Sequence, residues 1–260
     1  MIVPANRRVS EFASVRNLTE TRYFGAAGGP QGSTTMMFAT VFMLTRPLTA
    51  ADMFNPFGGN NISLGVGGWS IRGATSVGIL IVAVSGGGVV TPHQATAGTF
   101  FDIAGNVGVP MVVIGQVVGG QITASLTGRT DTAATPIVGY TVKPAGQMTS
   151  IGTDDSIVSG TRGYEVSECI FFNGYDGTGF ASATFGAGLA GINAMWCEDL
   201  QQGRVLTPPT APVANSAWYW SARDIVGASG TVGSSWVDRY SSFALARVGA
   251  PQASAIIPRF

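Results

Sequence analysis

Glycine punctuates this chain. Thirty-seven of its 260 residues are Gly, with no collagen-like period, about twice the ordinary share. Between the glycines stand apolar runs of strand length: MMFATVFML at 36–44, VGILIVAV at 77–84, PMVVIGQVV at 110–118 and YEVSECIFFN at 164–173. Runs rich in β-branched and aromatic residues and bounded by Gly favour buried strands. The glycines supply the positive φ that tight turns demand. Strands in such quick succession, without helical patterns alternating between them, predict an all-β antiparallel sandwich.

Within that frame, 36–44 is apolar on both faces and is expected at the centre of a sheet. Further strands are expected at 62–66, 69–72, 89–90, 99–103, 121–127 and 148–152, and Gly119-Gly120 reads as a two-residue hairpin. Residues 49–54 read as a helical turn, with Thr49 as N-cap and Asp52 in the first turn. One helix is predicted, over 187–202. Leu189, Ile192, Met195, Trp196 and Leu200 fall near i, i+3, i+4, i+7 spacing, and Gly203 stands where a C-cap belongs. TPPTAP at 207–212 is a stiff Pro-rich connector. The expected organisation is an N-terminal arm at 1–22, a β domain at 23–206, a linker at 207–217 and a C-terminal β segment at 218–260. That last segment carries Trp218, Trp220 and Trp236, and it must complete either its own sheet or a neighbour's.

Only 11% of the residues are charged and the formal net charge is +0. Phosphate neutralisation needs a clustered positive field, so a nucleic-acid partner is not expected. Such low charge has two readings: an Arg-biased genome (13 Arg, with Lys143 the single Lys) or a surface covered by other subunits. The first residues, MIVPANRRVSEF, lack the apolar core of a signal peptide. No apolar run reaches the roughly 18 residues of a membrane span, so no membrane insertion is expected. Cys169 and Cys197 are too few for a disulfide framework and lack metal-ligand spacing; free thiols are expected, with one mutual bond as the alternative.

The order of these pieces resembles the concanavalin A-like lectin/glucanase jelly rolls of the laminin-G-like type, over about 23–206. The first core strand of that family is similar to 35–44, and its Gly-Trp strand to Gly68-Trp69-Ser70-Ile71. Its hairpin resembles 112–126, its Ile-Gly strand end Ile151-Gly152, and its acidic closing strand Glu168-Cys169-Ile170-Phe171-Phe172-Asn173. The family's opening is echoed by Trp220-Ser221-Ala222-Arg223-Asp224, Trp236-Val237-Asp238 and Gly249-Ala250-Pro251, but here it comes last. The resemblance therefore implies a circular permutation or a tail that completes another copy's sandwich. Such modules are common in phage virion proteins, which implies a virion structural subunit assembled in a host cytoplasm.

Candidate chemistry is sparse. His93 stands in a Thr-Pro-His-Gln stretch expected to be a loop, with no nucleophile motif nearby. Gly186-Ala187-Gly188-Leu189-Ala190-Gly191 matches G-x-G-x-x-G but lacks a βαβ context, and reads as a small-residue helix entry. Glycan hydrolases of this superfamily carry an acid and a nucleophile on alternate positions of one strand. Glu165 and Glu168 are the only candidates, and a spacing of three places them on opposite faces of a regular strand. Glu168 is expected to accept hydrogen bonds from backbone or an Arg. Asp154-Asp155 with Asn60-Asn61 would supply too few oxygens for calcium. No cofactor and no metal site is expected. Trp218, Trp220, Trp236 and Tyr240 are the candidate sugar-stacking rings, although packing or an interface is the preferred use of such side chains.

These readings converge on an antiparallel jelly-roll sandwich with one short helix at 187–202 and extended terminal arms. The function expected is a non-enzymatic structural subunit of a phage-like virion (head decoration, head fibre or tail-associated), a homo-oligomer packed against capsid or tail proteins. The alternative is a lectin-like module binding a cell-surface glycan. A glycan hydrolase is the weaker third.

Overall fold

The computed structural model describes residues 13–16, 18–19, 22–47, 54–59, 67–74, 79–84, 93–99, 107–118, 121–126, 129–136, 142–153, 163–211, 213, 216–227 and 231–254; of 73–74, 79–84, 93–99 and 129–136 it describes the backbone alone. In chain order the first strands are β1 (Val15–Arg16), β2 (Tyr23–Ala27), β3 (Met36–Leu44), β4 (Phe54–Gly59), β5 (Trp69–Ala74), β6 (Ile79–Val84) and β7 (His93–Thr99). Then follow β8 (Pro110–Val118), β9 (Gln121–Leu126), β10 (Arg129–Pro136), β11 (Met148–Ile151) and β12 (Tyr164–Asn173). A small hairpin, β13 (Ala181–Ser182) with β14 (Gly186–Ala187), leads into α1 (Gly188–Gln201). The chain closes with β15 (Ala217–Ser221), β16 (Ser235–Val237), β17 (Ala244–Val248) and β18 (Gln252–Ala253).

The strands form two antiparallel sheets. The first runs β10-β9-β8-β3-β12-β1-β18, with β15 also on β12; the second runs β16-β17-β2-β11-β4-β5-β6-β7. Side chains alternate across β3. Met36, Phe38, Phe42 and Leu44 enter the core between the sheets. Met37, Ala39 and Val41 point the other way, into a second cluster under α1. This is why the 36–44 run is apolar at nearly every position: a strand with two covered faces has no solvent side. The 110–118 run divides in the same manner, with Met111, Val113 and Val117 inside and Val112 and Ile114 beneath the helix.

The helix lies on the outer face of the first sheet through Leu189, Ile192, Met195, Trp196 and Leu200, the stripe expected from sequence. Its entry is tight. A Cβ at Gly191 would stand 2.7 Å from the Gly186 carbonyl oxygen, so the small-residue entry is steric. Gly203 (φ 66) ends the helix in the left-handed region, where its N–H bonds the Leu200 carbonyl at 3.0 Å. The chain is then pinned by Asp199, which accepts Arg204 Nη2–H at 2.8 Å and the Thr207 N–H at 2.7 Å.

Several expectations change. Residues 49–53 and 60–66 lie outside the described residues, while Phe54 opens β4 rather than closing a helical turn. His93 opens β7 instead of sitting in a loop. The 99–103 strand falls largely outside the described residues, and β7 precedes it. The flanks of Gly119-Gly120 do pair, Val118 with Gln121. Both cysteines are free thiols, Cys169 buried and Cys197 half-buried.

The C-terminal segment is built into both sheets of its own chain. β15 pairs with β12, β17 with β2, and β18 with β1. Val15 of β1 pairs in turn with Val166 of β12. The first and last described strands thus lie side by side.

Candidate functional site

The polar centre of the molecule is strand β12. Its pairing with β3 shifts register between Val166 and Glu168, a β-bulge that adds one residue to β12. Tyr164, Val166, Cys169 and Phe171 all face the inter-sheet core, whereas Ile170 and Phe172 face the helix side. By alternation, Glu165 and Glu168 share that outer side. The regular-strand expectation of opposite faces fails because the bulge absorbs one residue of the spacing.

The bulge sits where β12 changes neighbours. Towards its start β12 pairs with β1 at Val166; from Glu168 to Phe172 it pairs with β15, with Glu168 directly opposite Ser221. Each carboxyl takes a serine from the adjoining strand. Ser14 donates to Glu165 Oε2 at 2.6 Å, and Ser221 donates to Glu168 Oε1 at 3.0 Å. Glu168 thus takes a serine hydroxyl, rather than the backbone or Arg donor expected. Glu165 is 0% and Glu168 1% exposed. The second oxygen of Glu168 is enclosed without a hydrogen bond of ordinary geometry, with the Tyr219 hydroxyl beside it. Burial lifts the Glu165 carboxyl above the usual range, against the pull of Ser14, Ser254 and Arg16. Burial likewise pushes Glu168 up to about 7, against Tyr219, Ser221, Arg223 and Arg239.

Tyr219 covers this place. Its hydroxyl accepts the Leu206 N–H at 2.8 Å, and the Arg239 guanidinium lies 5.2 Å above its ring. Arg239 also forks onto Asp224, Nε to Oδ2 at 2.7 Å and Nη2 to Oδ1 at 2.8 Å. Asp238 secures the turn that carries Arg239. It accepts the N–H groups of Tyr219 (2.8 Å), Tyr240 (3.0 Å) and Ser241 (2.6 Å). An aspartate side chain thereby occupies the open edge of β15 as a partner strand would.

The four candidate sugar-stacking rings land differently. Trp218, Trp220 and Trp236 are 8%, 0% and 0% exposed and belong to the inter-sheet core. Trp236 meets Phe24 edge-on at 5.3 Å, Trp220 meets Phe57 at 5.8 Å, and Trp218 meets Phe171 at 5.9 Å. A ring enclosed on both faces offers none to a sugar, so these three are packing residues. Tyr240 is half-buried and lies 5.9 Å from the Tyr219 ring. Asp154, Asp155, Asn60 and Asn61 lie outside the described residues. Among the described residues no group of three or more His, Cys, Asp or Glu is placed to hold a metal ion. None of the helices described is long and apolar enough to cross a membrane.

Sequence reasoning singled out the two glutamates but missed their serines. Neither Ser14 nor Ser221 carries a motif, and the partnership depends on the chain's two ends meeting β12.

No protein-family model matches the chain, and no curated protein matches it significantly. Solved structures do match. A candidate carbohydrate-binding protein from Bacteroides ovatus aligns with a TM-score of 0.52 at 15% identity, over 94% of this chain and 59% of that one. A heptameric SAP-like pentraxin from Limulus polyphemus gives 0.45 at 9% identity, over 73% of this chain and 83% of that one. Domains LG4-5 of the mouse laminin alpha1 chain give 0.45 at 10% identity, over 67% of this chain and 45% of that one. This chain therefore spans less than two thirds of the Bacteroides ovatus and laminin chains it matches. Two packed antiparallel sheets with one helix on the outer face, together with the Bacteroides ovatus match, give the chain its fold: an antiparallel jelly-roll sandwich.

Proposed function

We propose that the chain is a non-enzymatic, lectin-like recognition module whose ligand is carbohydrate. The observation that carries the first half is the state of the two glutamates. Glu165 and Glu168 are 0% and 1% exposed, and each is engaged by a serine. A hydrolytic pair must reach a glycosidic oxygen; these two carboxyls instead tie strands together. The carbohydrate half draws support from the Bacteroides ovatus match, which extends over 94% of this chain. A glycan array with the purified chain tests it: saturable binding to a defined set of glycans is expected, and no binding above background overturns it. Turnover of a bound glycan that disappears in Glu168→Gln would overturn the non-enzymatic half.

A second reading is favoured by composition. With 11% charged residues and a net charge of +0, much of the surface suits cover by other subunits, as in a homo-oligomeric structural protein of a phage-like virion assembled in a host cytoplasm. Sedimentation separates it from the first. A defined oligomer supports the assembly reading, and a monomer at all concentrations counts against it.

A further inference from the structure

We propose that Glu165 and Glu168 form a pair of proton-controlled latches that hold the terminal strands on β12, closed when the carboxyls are protonated and loosened when they ionise. The argument begins with position. β12 lies between β3 on one side and, on the other, two short strands that share its length: β1 near its start and β15 along its end. At the handover the bulge turns both glutamates to one face. Glu165 then takes the Ser14 hydroxyl at 2.6 Å with Ser254 beside it, and Glu168 takes the Ser221 hydroxyl at 3.0 Å with Tyr219 beside it. Ser14 also ties in the last strand, since its carbonyl accepts the Ser254 N–H at 2.9 Å.

Each latch reaches its strand through a side chain, and its surroundings suit a neutral acid. A carboxylate removed from water needs several donors or a paired cation; otherwise the neutral acid is the favoured form. Glu168 has the Ser221 hydroxyl within 3.0 Å, and its other oxygen is enclosed without an ordinary hydrogen bond. The cations nearby, Arg223 and Arg239, pull against the neutral form without overcoming burial, and each also has another partner. Arg239 forks onto Asp224, and Arg223 donates to the Gly203 carbonyl at 2.6 Å. The titratable and charged groups around Glu168 are Tyr219 on β15, Arg223 and Asp224 in the turn after it, Arg239 on the 238–243 turn and Cys169 on β12 itself. The β3 residues opposite the two glutamates, Met43 and Val41, carry no charge. Around Glu165 stand Ser14, Arg16 and Ser254. Ionisation therefore places negative charge in a dry seam between strands, and the relief available is to let the short strand lift and admit water.

The test is amide exchange on the full chain at pH 6 and pH 8, corrected for the intrinsic rate. The opening equilibrium of 217–221 is expected to rise about tenfold between the two. Glu168→Gln keeps the size and the acceptor but cannot ionise; it should make opening of β15 independent of pH, and Glu165→Gln should remove whatever pH response β1 shows. Identical opening of the wild-type strands at both pH values overturns the proposal, as does a Glu168→Gln protein that keeps the wild-type response. Should the variants fail to fold, the wild-type profile decides alone, together with a carbon-13 titration of the glutamate carboxyls: a midpoint below 5 for both overturns it.

Discussion

Asp238 is 3% exposed, and both its oxygens serve backbone amides of β15 and the following turn. Hydrogen bonds to a charged group contribute roughly 1.5–3 kcal/mol each, and stranding buried donors costs more than the bond itself. Asp238→Ala should therefore lower the unfolding free energy by about 3 kcal/mol, read as a lower urea midpoint at unchanged slope. Glu168 behaves in the opposite sense. Its folded carboxyl titrates at about 7 against an ordinary value of 4.5, so the native state binds the extra proton between these limits. Its contribution to stability is fully present below pH 4.5 and is lost as pH rises through 7, a change of about 3 kcal/mol. Urea unfolding at pH 5 and pH 8 checks this: the wild type should be the more stable at pH 5, and Glu168→Gln should flatten the difference. Arg239 and Asp224 are a contrast. Their pair is about one-third exposed on both sides, and such pairs contribute little; Arg239→Ala should matter chiefly through the cover it gives the Tyr219 ring.

At the scale of elements, α1 turns the first sheet into a layer buried on both faces. Trp196 is 0% exposed and its indole N–H bonds the Thr207 carbonyl at 2.7 Å. Trp196→Ala should cost about 4 kcal/mol through the cavity and the lost bond, measured by thermal or urea unfolding. The elements legible in the sequence were those whose burial is written in a long run. β3, β8 and β12 read correctly because both faces are apolar or nearly so, and α1 because its stripe is regular and Gly203 stops it. β10 (RTDTAATP) was missed, since an alternation of Thr with small and charged residues carries no apolar signal. β4 (FNPFGG) was misread because it contains Pro56 and two glycines; its pairing with β5 breaks register between Phe54 and Phe57, which is how a strand accommodates that proline. The bulge in β12 was beyond reach for another reason. It marks a change of neighbours, and no local pattern records which strand lies alongside. The tryptophans show the same limit: aromatic residues serve cores and surfaces alike, and only the packed sheets decide between the two.

For the whole molecule, the decisive feature is that 217–253 supplies strands to both sheets. Cutting the chain after residue 216 would remove β15 to β18 and uncover Phe24, Phe57 and Phe171, which pack on Trp236, Trp220 and Trp218. The truncated chain should be insoluble or molten, checked by loss of near-ultraviolet circular dichroism. Joining residue 254 to residue 13 by a short linker and opening the chain within 208–211 should leave the fold intact, because Ser254 already bonds Ser14 across the gap. The pairing of β1 with β18 also bears on how the molecule is made. β1 leaves the ribosome long before β18, the strand that flanks it. Until then the growing chain holds the long strands β3, β8 and β12 with one sheet edge bare and tryptophan pockets unfilled. Closure therefore waits on the synthesis of 217–253, and until that segment is made the chain carries exposed apolar surface that invites aggregation.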